Sequence, residues 1–344
     1  MPDRTDRNQR SLLLNEVYAL LKNLVQEISP YPAYLLEIQR VLNAALQAEN
    51  TATSFTLLPI LTCQAAGGVP QQGIPVAAAW RALHIAAHLL DDVQDGDVHH
   101  LSSSTLDIPR LINLATGFIT LASLALTRLA ETQGAQTAFT LYRDFHQAIL
   151  RTAGGQHLDL TLSHPPDLTT YFHLIGLKSG QPFALATRAA AQAANVPSHR
   201  VVRYEQFGYN VGILVQIADD LAGFRRIGPQ GDIRAGHWPL PVVYALEVAS
   251  GQEALCLRAE LARVVHREDA AAQVRALVIS LGGESYAVLE MLRYRRRALD
   301  ALQPHEPQDR PLRDWLMRLY YLFSHELGLS IPKDVEEDVF SPFS

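Results

Sequence analysis

Apolar residues recur at three- and four-residue spacing along almost the whole chain, with Ala, Leu, Gln, Glu and Arg between them. No stretch alternates apolar and polar with the two-residue period of a half-buried strand. Such a chain buries its apolar stripes only helix against helix, so the expected fold class is all-α. Pro and Gly mark the breaks: Pro30 and Pro32, Gly67 and Gly68 before Pro70, Pro165 and Pro166 before Asp167, Pro197 before Ser198, and Gly228 with Pro229. Between them the pattern predicts helices over 11–28, 32–48, 54–66, 75–95, 108–132, 135–161, 168–194, 199–224, 239–249, 252–265, 268–281, 284–302 and 310–327. The clearest loops are 225–237 and 303–310. Links are short and no composition shift divides the chain, so one domain over 1–331 is expected, followed by an acidic, Pro-interrupted tail over 332–344. Helices of this length suit a bundle around a central cavity.

Composition narrows the function. Hydrophobic residues make up 48% and charged residues 19%, the profile of a globular protein with a large core. A formal net charge of −6 argues against nucleic acid as a partner. There are 26 arginines but only three lysines, Lys22, Lys178 and Lys333, so a lysine within an apolar stretch stands out. Cys63 and Cys256 are too few for a disulfide framework. The N-terminal MPDRTDRNQR lacks the apolar core of a signal peptide. The most membrane-like run, 111–126, is interrupted by Asn113, Thr116, Gly117, Thr120 and Ser123. A core helix rather than a transmembrane segment is expected there, and a cytoplasmic location for the protein.

Two acidic groups carry the chemistry. Asp91, Asp92 and Asp95 follow the apolar RALHIAAHLL, and Asp219 and Asp220 follow GILVQIA. Acidic pairs at helix ends are commonly solvated charge, but these emerge from core-like runs, which places them at the rim of a cavity. Positions i and i+4 share a helix face, so Asp91 and Asp95 can serve one site with Asp92 about a quarter turn away. Hard oxygen ligands without cysteine favour Mg²⁺ or Mn²⁺, which keep coordination positions open for phosphate oxygens; a diphosphate substrate follows. Gln216 lies one turn before Asp220. Paired glycines in GGQHLDL can kink a helix and bring Gln156 and Asp159 inward, or simply allow close packing. Lys178 in GLKSGQPF can neutralise diphosphate charge, or snorkel to water. Arg225, Arg226 and Arg234 either add positive charge beside Asp219 and Asp220 or form a solvated loop. His84 and His88, at i and i+4, have the spacing of a Zn²⁺ or iron site in a hydrolase, though such pairs are more often core or rim residues.

The order of motifs DDVQD, GGQHLDL, KSG, YNVGILVQIADDL and GDIRAGHWPLP over residues 84–246 resembles the trans-isoprenyl diphosphate synthases, the polyprenyl synthetase family. The family pattern reads DDxxD, GQxLDL, KT or KS, NxGxxFQxxDDxxD and DLxxGKxTLP. The resemblance implies an isoprenoid-synthase-like all-α bundle, an allylic prenyl diphosphate as substrate, a homodimer, and about three Mg²⁺ ions. Carried over by position, Asp91, Asp95 and Asp219 would ligate metal with Asp92 and Asp220 beside them. Lys178 would hold the diphosphate, and Gln156, Asp159 and Gln216 would orient waters and substrate oxygens.

The pattern breaks in one direction. Where elongating members carry GKxxRP this chain has SFTLLP, so Phe55 and Leu58 stand in place of lysine and arginine. His100 and Leu101 replace two arginines after the first acidic motif, Gly223 replaces the last acid of the second, and His237 replaces the lysine of GKxTLP. Neutral side chains cannot offset the desolvation of a second diphosphate. The expectation is therefore an enzyme that ionises an allylic diphosphate without adding isopentenyl units, passing the cation to another acceptor or letting it collapse as in terpene synthases. Ala86 and Ala87 leave room one turn below the metals, for a prenyl chain of about C15 or more. A catalytically silent subunit of a heteromeric synthase is the non-enzyme alternative.

Overall fold

A computed structural model describes residues 4–28, 31–94, 107–226, 231–264, 267–302 and 306–329. Among them every regular element is helical. In chain order these are α1 (Arg4–Ile28), α2 (Pro32–Gln47), α3 (Leu58–Ala65), α4 (Pro70–Gln94), α5 (Ile108–Thr127), α6 (Leu129–Gln133), α7 (Ala135–Leu160) and α8 (Leu168–Ile175). There follow α9 (Gln181–Ala193), α10 (Ser198–Arg225), α11 (Asp232–Ala235), α12 (Leu240–Val248), α13 (Gly251–Leu261), α14 (Glu268–Ser280), α15 (Gly283–Ala301) and α16 (Arg310–Glu326). Asp95, His100, Leu101 and the tail over 332–344 lie outside the described residues.

Helix α10 is the axis of the bundle. Tyr204, Phe207, Val211, Leu214, Ile217, Leu221 and Phe224 recur every three or four residues along it and are inaccessible to solvent. They pack against α9 on one side and α15 on the other, while α4 packs against α3 and α5. A smaller apolar cluster joins Phe224 at the end of α10 to Ile233, Val242, Leu257 and Val274.

The breaks have local causes. Asp107 and Asp167 cap α5 and α8 by accepting the amides of Arg110 (3.1 Å) and Thr170 (2.7 Å). Helix α4 starts at Pro70, whose missing amide proton is not needed at the first helical position, rather than near Pro75, which lies inside the helix and leaves the carbonyl of Gln71 without its intrahelical donor. The predicted continuous helix over 168–194 is interrupted by a π-helical turn, Gly176–Gly180. Pro182 has no amide proton for the carbonyl of Lys178 four residues back, and the Gln181 amide instead reaches Gly176 five residues back. Lys178 is thereby presented from the middle of a widened turn. Conversely, α7 runs unbroken through Gly154 and Gly155, so the paired glycines do not interrupt it. Their use is close approach: a Cβ on Gly155 would sit 2.6 Å from that of Leu177, in the π turn.

Helices α4 and α5–α6 are long and apolar enough to cross a membrane by length and composition. Both also pack against neighbouring helices, and 61% of the apolar window of α4 is buried within the molecule.

Candidate active site

The two acidic groups end their apolar runs at a common cavity of about 1040 Å³, at the upper end of the size range for ligand sites. Helix α4 is buried at Ile85, Ala86 and Leu89 and then presents Asp91 to the cavity; α10 is buried at Leu214, Ile217 and Ala218 and then presents Asp219. Asp92 and Asp219 both act electrostatically on His88, which lines the same cavity as Asp91 and Asp219, so the acidic ends of the two helices come together there.

Asp219 exposes its carboxylate to the cavity but is enclosed by protein behind it, and this desolvation raises its pKa against the pull of Arg226, His88 and Lys178. Lys178 also lines the cavity, and its Nζ meets Asp159 Oδ2 at 2.5 Å. Gln156 lines it too, donating to Gln94 Oε1 at 2.8 Å.

Asp220, expected beside the metals, is placed differently. Tyr171 donates its hydroxyl to Oδ2 (2.5 Å), the Leu240 amide donates to the same oxygen (2.7 Å), and Gln216 Nε2 donates to Oδ1 (2.9 Å). Successive helical residues point about 100° apart, so when Asp219 faces the cavity Asp220 turns into the wall. There it is 8% exposed and ties α8, α10 and α12 together. Burial pushes its carboxyl up to about 7, against the three hydrogen bonds, and Asp232 pushes it further in the same direction. Gln216, expected to orient substrate, lines the cavity and at the same time reaches into the wall: its Oε1 accepts from Ser179 Oγ at 2.6 Å, linking the Lys178 turn to Asp220.

Arg225 and Arg226 both reach the cavity, but Arg225 is paired with Glu284 and donates to the Leu327 carbonyl. Arg275 holds the carbonyls of Phe224 (3.1 Å) and Arg226 (2.9 Å), fixing the end of α10. Arg234, on α11, does not line the cavity.

Away from the charged groups the cavity is aromatic. Phe183 packs edge-on against Phe55 (5.2 Å between ring centres) and Trp80 (5.1 Å), and His84 lies 5.9 Å from Phe55 and 5.5 Å from Trp80. All four line the cavity. His84 and His88 stack with their Nε2 atoms 3.0 Å apart, each serving the other as hydrogen-bond partner. Desolvation lowers the pKa of both, so they are held neutral. Along α4, His84 and Trp80 precede Asp91 by seven and eleven residues, about 10 and 16 Å down the helix axis. Leu58, by contrast, is wholly buried in α3 and does not line the cavity.

Sequence reasoning missed Trp80, Tyr171, Ser179 and Phe183. Trp80 carried a signal, since residues 80, 84, 88 and 92 repeat every four along one helix. Tyr171 carried none, being 49 residues from its partner Asp220.

Among the described residues no three His, Cys, Asp or Glu side chains form a metal-binding group by themselves. The donor set nevertheless fits Mg²⁺, which is commonly held by one or two carboxylates together with substrate phosphate oxygens and water. Asp91 and Asp219 supply such carboxylates from opposed helices, and Lys178 lies within electrostatic range of Asp219.

The chain is similar to known proteins throughout this region. It is 26% identical over 263 residues to a geranylfarnesyl diphosphate synthase of Aeropyrum pernix, covering 72% of this chain and 81% of that protein. It is 27% identical over 266 residues to a short chain isoprenyl diphosphate synthase of Methanothermobacter thermautotrophicus, covering 73% and 80%. The fold matches a polyprenyl synthetase from Streptomyces coelicolor with a TM-score of 0.75 at 24% identity, over 93% of this chain and 99% of the other. A geranylgeranyl pyrophosphate synthase from Corynebacterium glutamicum, solved with calcium and isoprenyl diphosphate, superposes with a TM-score of 0.73 at 20% identity, over 95% and 99%. The polyprenyl synthetase family model matches residues 54–278, well over half of the chain, and the protein belongs to that family of prenyltransferases.

Proposed function

We propose that this protein ionises an allylic prenyl diphosphate of about C15 or longer and does not extend it with isopentenyl diphosphate. The observation that carries this reading is the contrast within one cavity. Asp91, Asp219 and Lys178 converge on its charged part, while Phe55, at the position of the family's elongation lysine, packs into the aromatic part against Trp80, His84 and Phe183. Breaking the allylic C–O bond leaves negative charge on the diphosphate and positive charge on the prenyl group. Lys178 and Arg226 stabilise the first, and the aromatic faces of Trp80, Phe55 and Phe183 stabilise the second without attacking it.

Asp91, Asp92, Asp95 and Asp219 would hold Mg²⁺, which supplies charge neutralisation for the departing diphosphate. Asp220 acts behind them by holding the end of α10, and Asp159 keeps the Lys178 ammonium oriented. The aromatic lining also favours collapse of the cation inside the cavity, by cyclisation or proton loss, over transfer to an external acceptor. A homodimer would cover the exposed Ile108 and Ile112 of α5 and Phe139, Tyr142 and Leu150 of α7, a helix packed against α5. One all-α unit over 1–331 and a cytoplasmic location complete the proposal.

Equilibrium binding tests it. An unreactive farnesyl thiodiphosphate should bind only with Mg²⁺ present, and isopentenyl diphosphate should not bind at any working concentration. Mg²⁺-independent binding of the first, or a saturable site for the second, would refute it.

A further inference from the structure

The histidine pair of α4 has no part in that reaction, and it holds a geometry of its own. We propose that His84 and His88 form a second metal site, a pair of imidazole nitrogens that takes an exchangeable transition-metal dication such as Ni²⁺, Co²⁺ or Zn²⁺ and, when filled, excludes the prenyl substrate. The site stands independently of the proposed reaction; only the exclusion of substrate rests on that reading. The two Nε2 atoms lie 3.0 Å apart while the ring centres lie 4.6 Å apart, with the planes inclined by 29°. A straight N–H···N bond of that length would set the ring centres about 5.3 Å apart, so the rings do not meet head-on and at least one nitrogen lone pair is turned off the line between them. Two imidazole nitrogens bound at about 2.1 Å to one metal are about 3.0 Å apart at the right angle of octahedral coordination and about 3.4 Å apart in a tetrahedron. The pair is spaced for the first before any metal arrives.

The surroundings favour a cation there. Both rings line the cavity, and burial keeps both neutral, the form that ligates a metal. Arg81 acts on both rings against a further positive charge, but its own charge is engaged by Glu49 at 3.4 Å. Asp92 and Asp219 act on His88 in the opposite sense and favour a dication beside it. Nitrogen donors set this site apart from the carboxylates, because Mg²⁺ takes oxygen ligands whereas Ni²⁺, Co²⁺ and Zn²⁺ suit imidazole. The metal held here is exchangeable for two reasons. Among the described residues no third His, Cys, Asp or Glu completes a metal-binding group. His84 Nδ1, which keeps the proton when Nε2 binds metal, is enclosed without a partner, so the usual outer support of a ligating histidine is missing. Ile85, Ala86 and Ala87 between the histidines include no glutamate to act as a base, so the pair binds metal without the chemistry of a hydrolase. His84 sits against the rings of Phe55 and Trp80, where the prenyl group is received. A dication at that point fills the space and repels the positive charge that ionisation creates.

Equilibrium dialysis tests the site, with Ni²⁺ as the probe, excess Mg²⁺ present to fill the carboxylates, and the full chain free of any polyhistidine tag. The unmodified protein should bind Ni²⁺, and His84→Phe and His88→Gln should each weaken that binding at least about tenfold, the low end of what is lost on removing a group that only supports a metal ligand. Asp91→Asn should bind Ni²⁺ within about threefold of the unmodified protein, having lost a nearby charge but no ligand. Co²⁺ should bind more weakly than Ni²⁺, and Mn²⁺ more weakly again. Unreactive farnesyl thiodiphosphate should displace the bound Ni²⁺. Melting temperatures are recorded in parallel; His88 is exposed within the cavity, so its substitution decides the matter if His84→Phe does not fold. Ni²⁺ binding that survives both histidine substitutions, that falls tenfold or more with Asp91→Asn, or that coexists with bound farnesyl thiodiphosphate overturns the proposal. If the thiodiphosphate binds no form of the protein while histidine-dependent Ni²⁺ binding is intact, the reading of the cavity as a prenyl diphosphate site falls, the exclusion of substrate falls with it, and the metal site stands.

Discussion

Asp219 and Asp220 are adjacent in sequence and opposite in circumstance. One carboxylate meets cavity solvent and the charges of Lys178 and Arg226; the other is enclosed by Tyr171, Gln216 and the Leu240 amide. Asp219→Asn should therefore cut pyrophosphate release at least about a hundredfold while leaving the melting temperature level or higher, because a desolvated charge is removed. His84 sets a separate pH dependence. Its imidazole pKa lies below the usual 6.5 in the folded protein, chiefly through burial, so the folded state takes up protons less readily than the unfolded one. That contribution to stability is complete above the unfolded pKa and is lost as pH falls below it. The buried carboxyls of Asp219 and Asp220, with raised pKa, act in the opposite direction, so the test is the difference: the melting temperature of the unmodified protein should fall relative to that of His84→Phe as pH is lowered from 6.5, and a constant difference would show that His84 makes no such contribution. At this scale the sequence singles out charged residues that line one cavity, Asp91, Lys178, Asp219, Arg225 and Arg226. It could not recover which of two neighbouring aspartates faces inward, because that depends on a tyrosine from α8 and an amide from α12.

The element that most shapes the site is the π turn, and its origin is partly legible. Pro182 and the flanking Gly176 and Gly180 signal a weakened helix, but local sequence does not distinguish a break from a widened turn. Gly154 and Gly155 are compatible in sequence with a kink or with close packing, and Gly155 serves the second, the close approach of α7 to the π turn. Gly155→Ala should cost about 1–3 kcal/mol in denaturant unfolding by forcing Leu177 outward. The push also reaches the Lys178 amide, 3.3 Å from the added Cβ. The substrate KM should therefore rise more than Gly154→Ala raises it, since no neighbour lies within 4 Å of a Cβ there. Equal effects from the two substitutions would remove the π turn from this account.

For the molecule as a whole, the all-α class and most helix positions follow from apolar spacing and punctuation, because a 3.6-residue period must be buried helix on helix. What spacing cannot convey is the assembly of a cavity from α4, α7, α9 and α10 together with Phe55 ahead of α3, which is why the aromatic lining emerged only with the structure. Apolar residues left outside, notably Phe139 at 63% and Leu150 at 75% exposure, belong to the same scale. Phe139→Lys combined with Leu150→Lys should convert a dimer to monomer in sedimentation equilibrium; an unmodified protein that sediments as a monomer would contradict that part of the proposal. The central claim is most directly tested by product analysis with Mg²⁺ and geranyl, farnesyl or geranylgeranyl diphosphate, each with and without isopentenyl diphosphate. The account predicts Mg²⁺-dependent pyrophosphate release and products that keep the carbon number of the allylic substrate in both cases. Products lengthened by five-carbon units when isopentenyl diphosphate is supplied would contradict it.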